Sequence, residues 1–133
     1  FTGALSRFPK LKLVYVENEC AWLPFYVHEW DKYYVRFKSK VPLPFMKKLP
    51  GEYVSEQVYA TFFSDPCGGL LMNRYGQDTF MWSNDYPHAA STWPHSRDVI
   101  ARELGHLPKE ILRKVVRDNV IKLYNLKLDG INN

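Results

Sequence analysis

The 133-residue chain has only two cysteines, Cys20 and Cys67, and they lie far apart. No CxxC pair exists, so a zinc site built on paired thiolates is not expected. Two cysteines are also too few for the disulfide framework of a secreted domain, and a reducing, cytoplasmic compartment is expected. No apolar run approaches the ~20 residues that a membrane-crossing helix needs. There is no signal-like start either, so a membrane partner is not expected. No internal period and no low-complexity stretch argues for a repeat array or a linker. The chain begins at Phe1 rather than Met, as expected of a processed product or a piece of something longer. Acidic residues are missing from Lys32 to Lys48, where five Lys and one Arg supply part of a net charge of +4.

Hydrophobic residues make up 46% of the chain and charged ones only 24%, a balance that builds a packed core rather than a disordered coil. The length suits one domain and not two. An aromatic share of 16% implies extensive packing or a large interface. The run Lys32-Tyr33-Tyr34-Val35-Arg36-Phe37-Lys38 interleaves cations with aromatics, as a nucleic-acid surface does. The preferred reading is a helix with aromatics buried and cations in water.

Along the chain, Thr2 to Phe8 reads as the end of a helix closed by Pro9, with Leu5 and Phe8 on one side. Leu11 to Val16 is a strand, apolar enough to suit a parallel strand covered on both faces, and it ends in Glu17-Asn18-Glu19. From Ala21 to Phe37 the period turns helical, with Trp22, Tyr26, Trp30, Tyr33 and Phe37 forming a stripe that should pack back across that strand. Three prolines make Val41 to Gly51 a loop, and a short helical turn follows at Glu52 to Gln57. Val58 to Phe63 is a second strand, ending at Ser64-Asp65-Pro66. Gly68-Gly69 should break the chain before a helical turn at Leu70 to Tyr75. Ser96 to Leu104 is a helix with Ser96 as its cap and Val99, Ile100 and Leu104 inward. Pro108 opens the last helix at its first position. Ile111, Leu112, Val115, Val116, Val120, Leu123 and Tyr124 make its apolar stripe, before a frayed Asp129-Gly130 tail.

Thr79 to Trp82 reads as a third strand, after which Ser83, Asn84, Asp85 and His88 crowd one end and Pro87 stops the ladder. A carboxylate and an imidazole at a strand's C-terminal tip are what an α/β active site requires. The alternative is a turn after a core strand, with Asp85 in an Asx-turn and His88 in solvent. Alternating strands and helices argue for an α/β fold of parallel strands joined by right-handed crossovers. Three strands cannot close a barrel, so their apolar edges need a cover, either a missing segment or a second copy.

Several runs resemble the amidohydrolase-related family, in the branch of the aminocarboxymuconate-semialdehyde decarboxylase-like proteins. They are Arg7-Phe8-Pro9-x-Leu11-x-Leu13-Val14, Glu17 with Trp22-Leu23-Pro24, Tyr53-x-x-x-Gln57 and Thr61-Phe62-x-x-Asp65. Further along come Met81-Trp82-Ser83-x-Asp85-Tyr86-Pro87-His88, Ser91-Thr92-Trp93-Pro94-x-Ser96 and Asn119-x-x-x-Leu123-Tyr124. The resemblance implies the C-terminal portion of a (β/α)8 barrel, a single partial domain of about three β/α units, carrying the sixth to eighth strands. It implies metal-dependent hydrolysis of a C–N or C–O bond, or nonoxidative decarboxylation, of a small-molecule substrate by the complete protein.

By the same resemblance, Asp85 binds or faces a divalent metal, expected to be zinc, and handles the proton of the attacking water. Glu17 stands where the decarboxylase relatives carry a His, so it is carried over as a neighbouring or substrate-side group. His88 matches a position at the pocket rim, where it could donate to a substrate carboxylate or carbonyl; a surface or cap His is its alternative. Trp82 and Trp93 flank the tip and either wall a pocket for a planar substrate or pack the barrel rim. The family's His-x-His pair and its fifth-strand His have no counterpart, since His28, His88, His95 and His106 are scattered singly. One Asp cannot hold zinc, which usually needs three protein ligands at a catalytic site. The chain alone is therefore expected to bind metal weakly, if at all, and to be inactive. Two other readings stand beside this one: a non-catalytic half-barrel that self-associates, and a basic nucleic-acid-binding domain.

Overall fold

A computed structural model describes residues 1–127; the Asp129-Gly130 tail lies outside the described residues. Three strands, β1 (Leu13–Tyr15), β2 (Val58–Phe62) and β3 (Phe80–Trp82), form a parallel sheet in the order β1-β2-β3. The pairs Leu13–Val58, Tyr15–Ala60–Phe80 and Phe62–Trp82 share one face; Val14–Tyr59 and Thr61–Met81 share the other. Around them run α1 (Ala4–Arg7), α2 (Trp22–Phe37), α3 (Pro50–Gln57), α4 (Pro66–Leu71), α5 (Ser96–Leu104), α6 (Lys109–Arg113) and α7 (Asn119–Tyr124). This is a mixed α/β arrangement of three β/α units, the arc of a partial barrel.

The core lies on the helix side of the sheet. Ala60, Phe62 and Phe80 pack there with Cys20, Leu23, Met72, Leu104, Leu107 and Val115. Burying each phenylalanine contributes roughly 2–3 kcal/mol. β2 is covered almost throughout because it has a strand on either side. β1 is not covered on both faces as its apolar run suggests: Leu13 and Tyr15 remain 38% and 40% exposed. It is an edge strand, and the four-residue α1, shorter than the expected Thr2 to Phe8, brings no buried residue to it.

The aromatic stripe of α2 meets the core through Trp22 and Trp30 alone. Trp22 packs edge-on against Tyr15, and Leu23 is the helix's buried residue, while Tyr26, Tyr33 and Phe37 are exposed. Instead the aromatics contact one another, Trp22 with Tyr26, Tyr26 with Trp30, and Tyr33 stacked on Phe37. The helix turns its later half to α3, where the Asp31 carboxylate accepts the Gly51 N–H at 2.7 Å. α3 itself starts at Pro50, two residues before the expected turn, with Glu52 accepting the Leu49 N–H.

Gly68-Gly69 does not break the chain but sits inside α4. A Cβ on Gly68 would collide with Cys20 Sγ, and one on Gly69 would stand 2.6 Å from the Glu103 carbonyl oxygen. The glycines let α4 lie against its neighbours, and the helix begins at Pro66 because Asp65 caps it. His95, not Ser96, occupies the cap position of α5, and the Ser96 hydroxyl pairs with Thr92 Oγ1 at 3.0 Å. Pro108 precedes the first turn of α6 by one residue.

The last helix is not uniform: Lys114–Asp118 forms a π-turn between α6 and α7. The extra residue in that turn shifts the buried face, so Asn119 is buried rather than Val120, and Tyr124 is exposed. Asn119 Nδ2 donates to the Gln77 and Phe80 carbonyls at 2.9 and 2.8 Å, tying the helix to the start of β3. Among the described residues no helix is long and apolar enough to cross a membrane. Both cysteines are free.

Candidate active site at the carboxyl ends of the strands

Because the strands are parallel, the chain leaves all three at the same end of the sheet, and the polar residues that follow each strand gather there. β1 releases Glu17 and Glu19, β2 releases Ser64 and Asp65, and β3 releases Ser83, Asn84 and Asp85. Ser83 N–H still bonds the Phe62 carbonyl at 2.9 Å. Two residues later Asp85 takes a left-handed backbone with φ 55°, a conformation Asp tolerates better than most. The turn closes with His88 N–H on the Asp85 carbonyl at 2.9 Å and His88 Nδ1 on Asp85 Oδ1 at 2.8 Å.

Glu17 arrives from the far side of β2. Its Oε1 lies 3.9 Å from His88 Nδ1, although β1 and β3 are not neighbours in the sheet. One ligand atom from each of Glu17, Asp85 and His88 lies within 4.8 Å of the others. The Asp85 side chain is only 8% exposed, whereas His88 and Glu17 are open to solvent at 63% and 45%. The three residues expected from the sequence to carry the chemistry therefore stand together.

Trp93 stands at the rim, exposed, with its ring edge-on to Tyr86 at 6.0 Å. The loop bearing both rings is closed at its neck. Thr92 N–H and Ser91 Oγ reach the Asn84 carbonyl at 3.0 and 2.6 Å, and Trp93 N–H reaches Ser91 Oγ at 3.1 Å. Trp82 lies on the helix face of the sheet with Phe62, half-buried, its indole N–H on the Phe63 carbonyl at 3.2 Å. The other histidines stand apart from the cluster: His28 is beside Glu29, His95 beside Asp98, and His106 Nε2 is 3.2 Å from the Gly69 carbonyl oxygen.

A polar joint forms where β2 leads into α4. Asp65 Oδ2 accepts the N–H groups of Cys20 and Ala21, and its Oδ1 accepts that of Gly68, each at 2.8 Å. Burial pushes the Asp65 carboxyl up, but those three donors outweigh it and hold the group below the usual carboxylate range. Burial also pushes the Cys20 thiol up, and the neighbouring Asp65 carboxylate adds to it, so this sulfur stays protonated. The legible signal was Asp65-Pro66, a cap residue followed by proline at the first helical position.

Glu19 behaves oppositely. Burial raises its carboxyl, the Phe63 N–H at 3.3 Å lowers it, and the charges of Asp65 and Glu103 raise it again, with a net rise. A carboxyl raised on folding favours the folded state below its unfolded value, and that advantage is lost as pH climbs through the raised value. Glu19→Gln keeps the acceptor for Phe63 and carries no charge. It is expected to melt above the parent near neutral pH, with the two curves converging below about pH 4, where carboxyls are neutral; paired thermal melts across that range read the difference.

The donor set can be tested against a divalent cation. Zinc takes His nitrogen and carboxylate oxygen at about 2.0–2.2 Å, so its ligand atoms stand about 3–4 Å apart. An imidazole and two carboxylates within 4.8 Å of one another fit that chemistry.

The family model described as amidohydrolase matches residues 1–126. No curated protein matches the chain. Among solved structures, an amidohydrolase from Mycobacterium avium subsp. paratuberculosis K-10 is 24% identical with a TM-score of 0.71, covering 91% of this chain and 30% of its own. A 5-carboxyvanillate decarboxylase from Sphingomonas paucimobilis is 21% identical with a TM-score of 0.75, covering 95% of this chain and 37% of its own. The chain thus spans about a third of the length of the structures it matches, and the likeness to them is one of fold.

Proposed function

The chain belongs to the amidohydrolase family, and on that premise we propose that it supplies the closing third of a metal-dependent active site to a hydrolase or nonoxidative decarboxylase. The observation that carries this reading is the meeting of Asp85, His88 and Glu17 at the carboxyl ends of parallel strands. Asp85 and His88, with Glu17 beside them, are the residues that would hold a divalent cation, zinc being the candidate that the donor set suits. Such a cation would supply Lewis-acid polarisation of the substrate.

The rest falls to the chain's own groups. The Asp85 carboxylate, shielded and fixed by its turn, accepts a proton from water at the reacting centre. With Nδ1, the ring nitrogen nearest the two carboxylates, toward the cation, His88 keeps its Nε2–H to donate to a carboxylate or carbonyl of a small-molecule substrate. Glu17 sets a second carboxylate beside His88, and Tyr86 and Trp93 offer apolar faces at the rim. In the complete protein, which we place in the cytoplasm, the open edges of β1 and β3 are covered by further strands or by a second copy. The exposed Leu13, Tyr15 and Val16 at the β1 edge favour such a cover.

Cobalt(II) titration of the chain tests the reading. A saturable visible absorption that zinc displaces is expected, and His88→Ala should weaken binding by at least about tenfold. No saturable binding, or binding indifferent to that substitution, would remove the metal site from this cluster.

A further inference from the structure

The turn that carries Glu17 is held in an uncommon shape. Glu17 and Glu19 both have positive φ, 58° and 54°, and neither is glycine. Such residues persist where their surroundings fix them, and they gather at functional sites. The ladder between β1 and β2 ends at Tyr15–Ala60. Beyond it the Glu17 N–H is met by a side chain, Thr61 Oγ1, at 2.9 Å.

Asn18 follows, tied at both ends by its Nδ2 on the Val16 carbonyl and by Trp22 Nε1 on its own carbonyl. Glu19 and Asp65 then anchor the exit of the turn to the start of the β2–α4 connection. The exit is thus anchored several times over, but at Glu17 itself the Thr61 hydroxyl is the tie across the sheet. Thr61 sits on β2, the strand between the two that deliver Glu17 and His88, on the face it shares with Met81.

We propose that Thr61 is a positioning residue for Glu17. Its hydroxyl replaces the lost ladder partner and fixes the left-handed backbone that turns the Glu17 carboxylate toward His88. A glutamate that is 45% exposed would otherwise sample many orientations, most of them out of reach. Valine has the shape of threonine without the acceptor, and serine has the acceptor without the methyl.

The inference rests on the metal-site reading above, and the test separates the two. Cobalt(II) affinity is measured on the whole chain for Thr61→Val, Thr61→Ser and Glu17→Gln, and for Thr61→Val combined with Glu17→Gln, with circular dichroism confirming the fold of each. Thr61→Val is expected to weaken binding about tenfold, Thr61→Ser to retain it, and Thr61→Val to cost nothing more once Glu17 is Gln. An equal loss in both backgrounds, or no loss in either, overturns the positioning role and leaves the metal site standing. If the parent chain takes up no cobalt, the metal reading fails, and the positioning role is read from nuclear Overhauser contacts between the Glu17 side chain and the His88 ring. Their loss in Thr61→Val but not in Thr61→Ser supports the role; their persistence in Thr61→Val overturns it. Should Thr61→Val not fold, Thr61→Ala compared with Thr61→Ser decides by the same criteria.

Discussion

Asp85→Asn is expected to lower cobalt or zinc affinity by at least about a hundredfold while leaving the fold intact. Asparagine has nearly the shape of aspartate and tolerates the left-handed backbone at this position, φ 55°. What it lacks is charge and basicity. A neutral amide oxygen neither balances a divalent cation nor takes a proton from water. Where the complete protein is assayed, turnover should fall by about 10²- to 10⁴-fold, the usual contribution of a positioned acid or base. The bond lost to His88 involves a solvent-exposed ring and is worth about 0–1 kcal/mol, so the melting temperature should scarcely move. Retained metal affinity in a folded Asp85→Asn chain would show that this carboxylate is not a ligand.

The second large effect falls on stability rather than chemistry. Asp65→Ala should destabilise the chain by about 3–5 kcal/mol, because it strands three N–H groups that are each costly to leave without an acceptor. Those donors belong to Cys20, Ala21 and Gly68, so one carboxylate ties the β1–α2 turn to the first turn of α4. A loss of that size is a large share of the 5–15 kcal/mol that ordinarily holds a domain together. It should appear as a lower urea midpoint with an unchanged slope.

The pH dependence has a definite sign. A carboxyl depressed on folding contributes its full stability above its unfolded value, near 3.9 for Asp, and loses it as pH falls through the depressed folded value. The gap between parent and Asp65→Ala should therefore narrow on acidification below about pH 4. A gap that stayed constant into strong acid would mean that the charge of Asp65 plays no part.

The strands were legible because β-branched and aromatic runs bounded by polar and glycine residues have little else to become. Coverage was not legible. Leu11 to Val16 is as apolar as a strand buried on both faces, but burial depends on neighbours, and β1 has a strand on one side only. The α2 stripe has the right period, but Trp22 and Trp30 pack against the core while Tyr26, Tyr33 and Phe37 stay exposed. Gly68-Gly69 reads locally as a break, yet the approach of Cys20 and Glu103 demands the absence of a Cβ there. No local pattern announced the π-turn at Lys114–Asp118, which exchanged Val120 for Asn119 in the buried position.

Asp85 and His88 are three residues apart, and a strand tip followed by proline was enough to single them out as candidates. Glu17 is distant in sequence and leaves a strand that does not touch β3, so only the parallel sheet could bring it to His88. Thr61 and Asp65 were readable as strand-end residues, but their work is done on backbone N–H groups of another loop, which no spacing records.

By itself the sequence determined the order of strands and helices, the end of the third strand at which a carboxylate and an imidazole appear, and the family. Those follow from local chemistry: side-chain shape, period, and the residues that stop a strand. The tertiary structure decided which faces are covered, which strand is an edge, and which acid meets His88. These depend on what stands next to what, and proximity between residues far apart in the chain exists only once the sheet has formed.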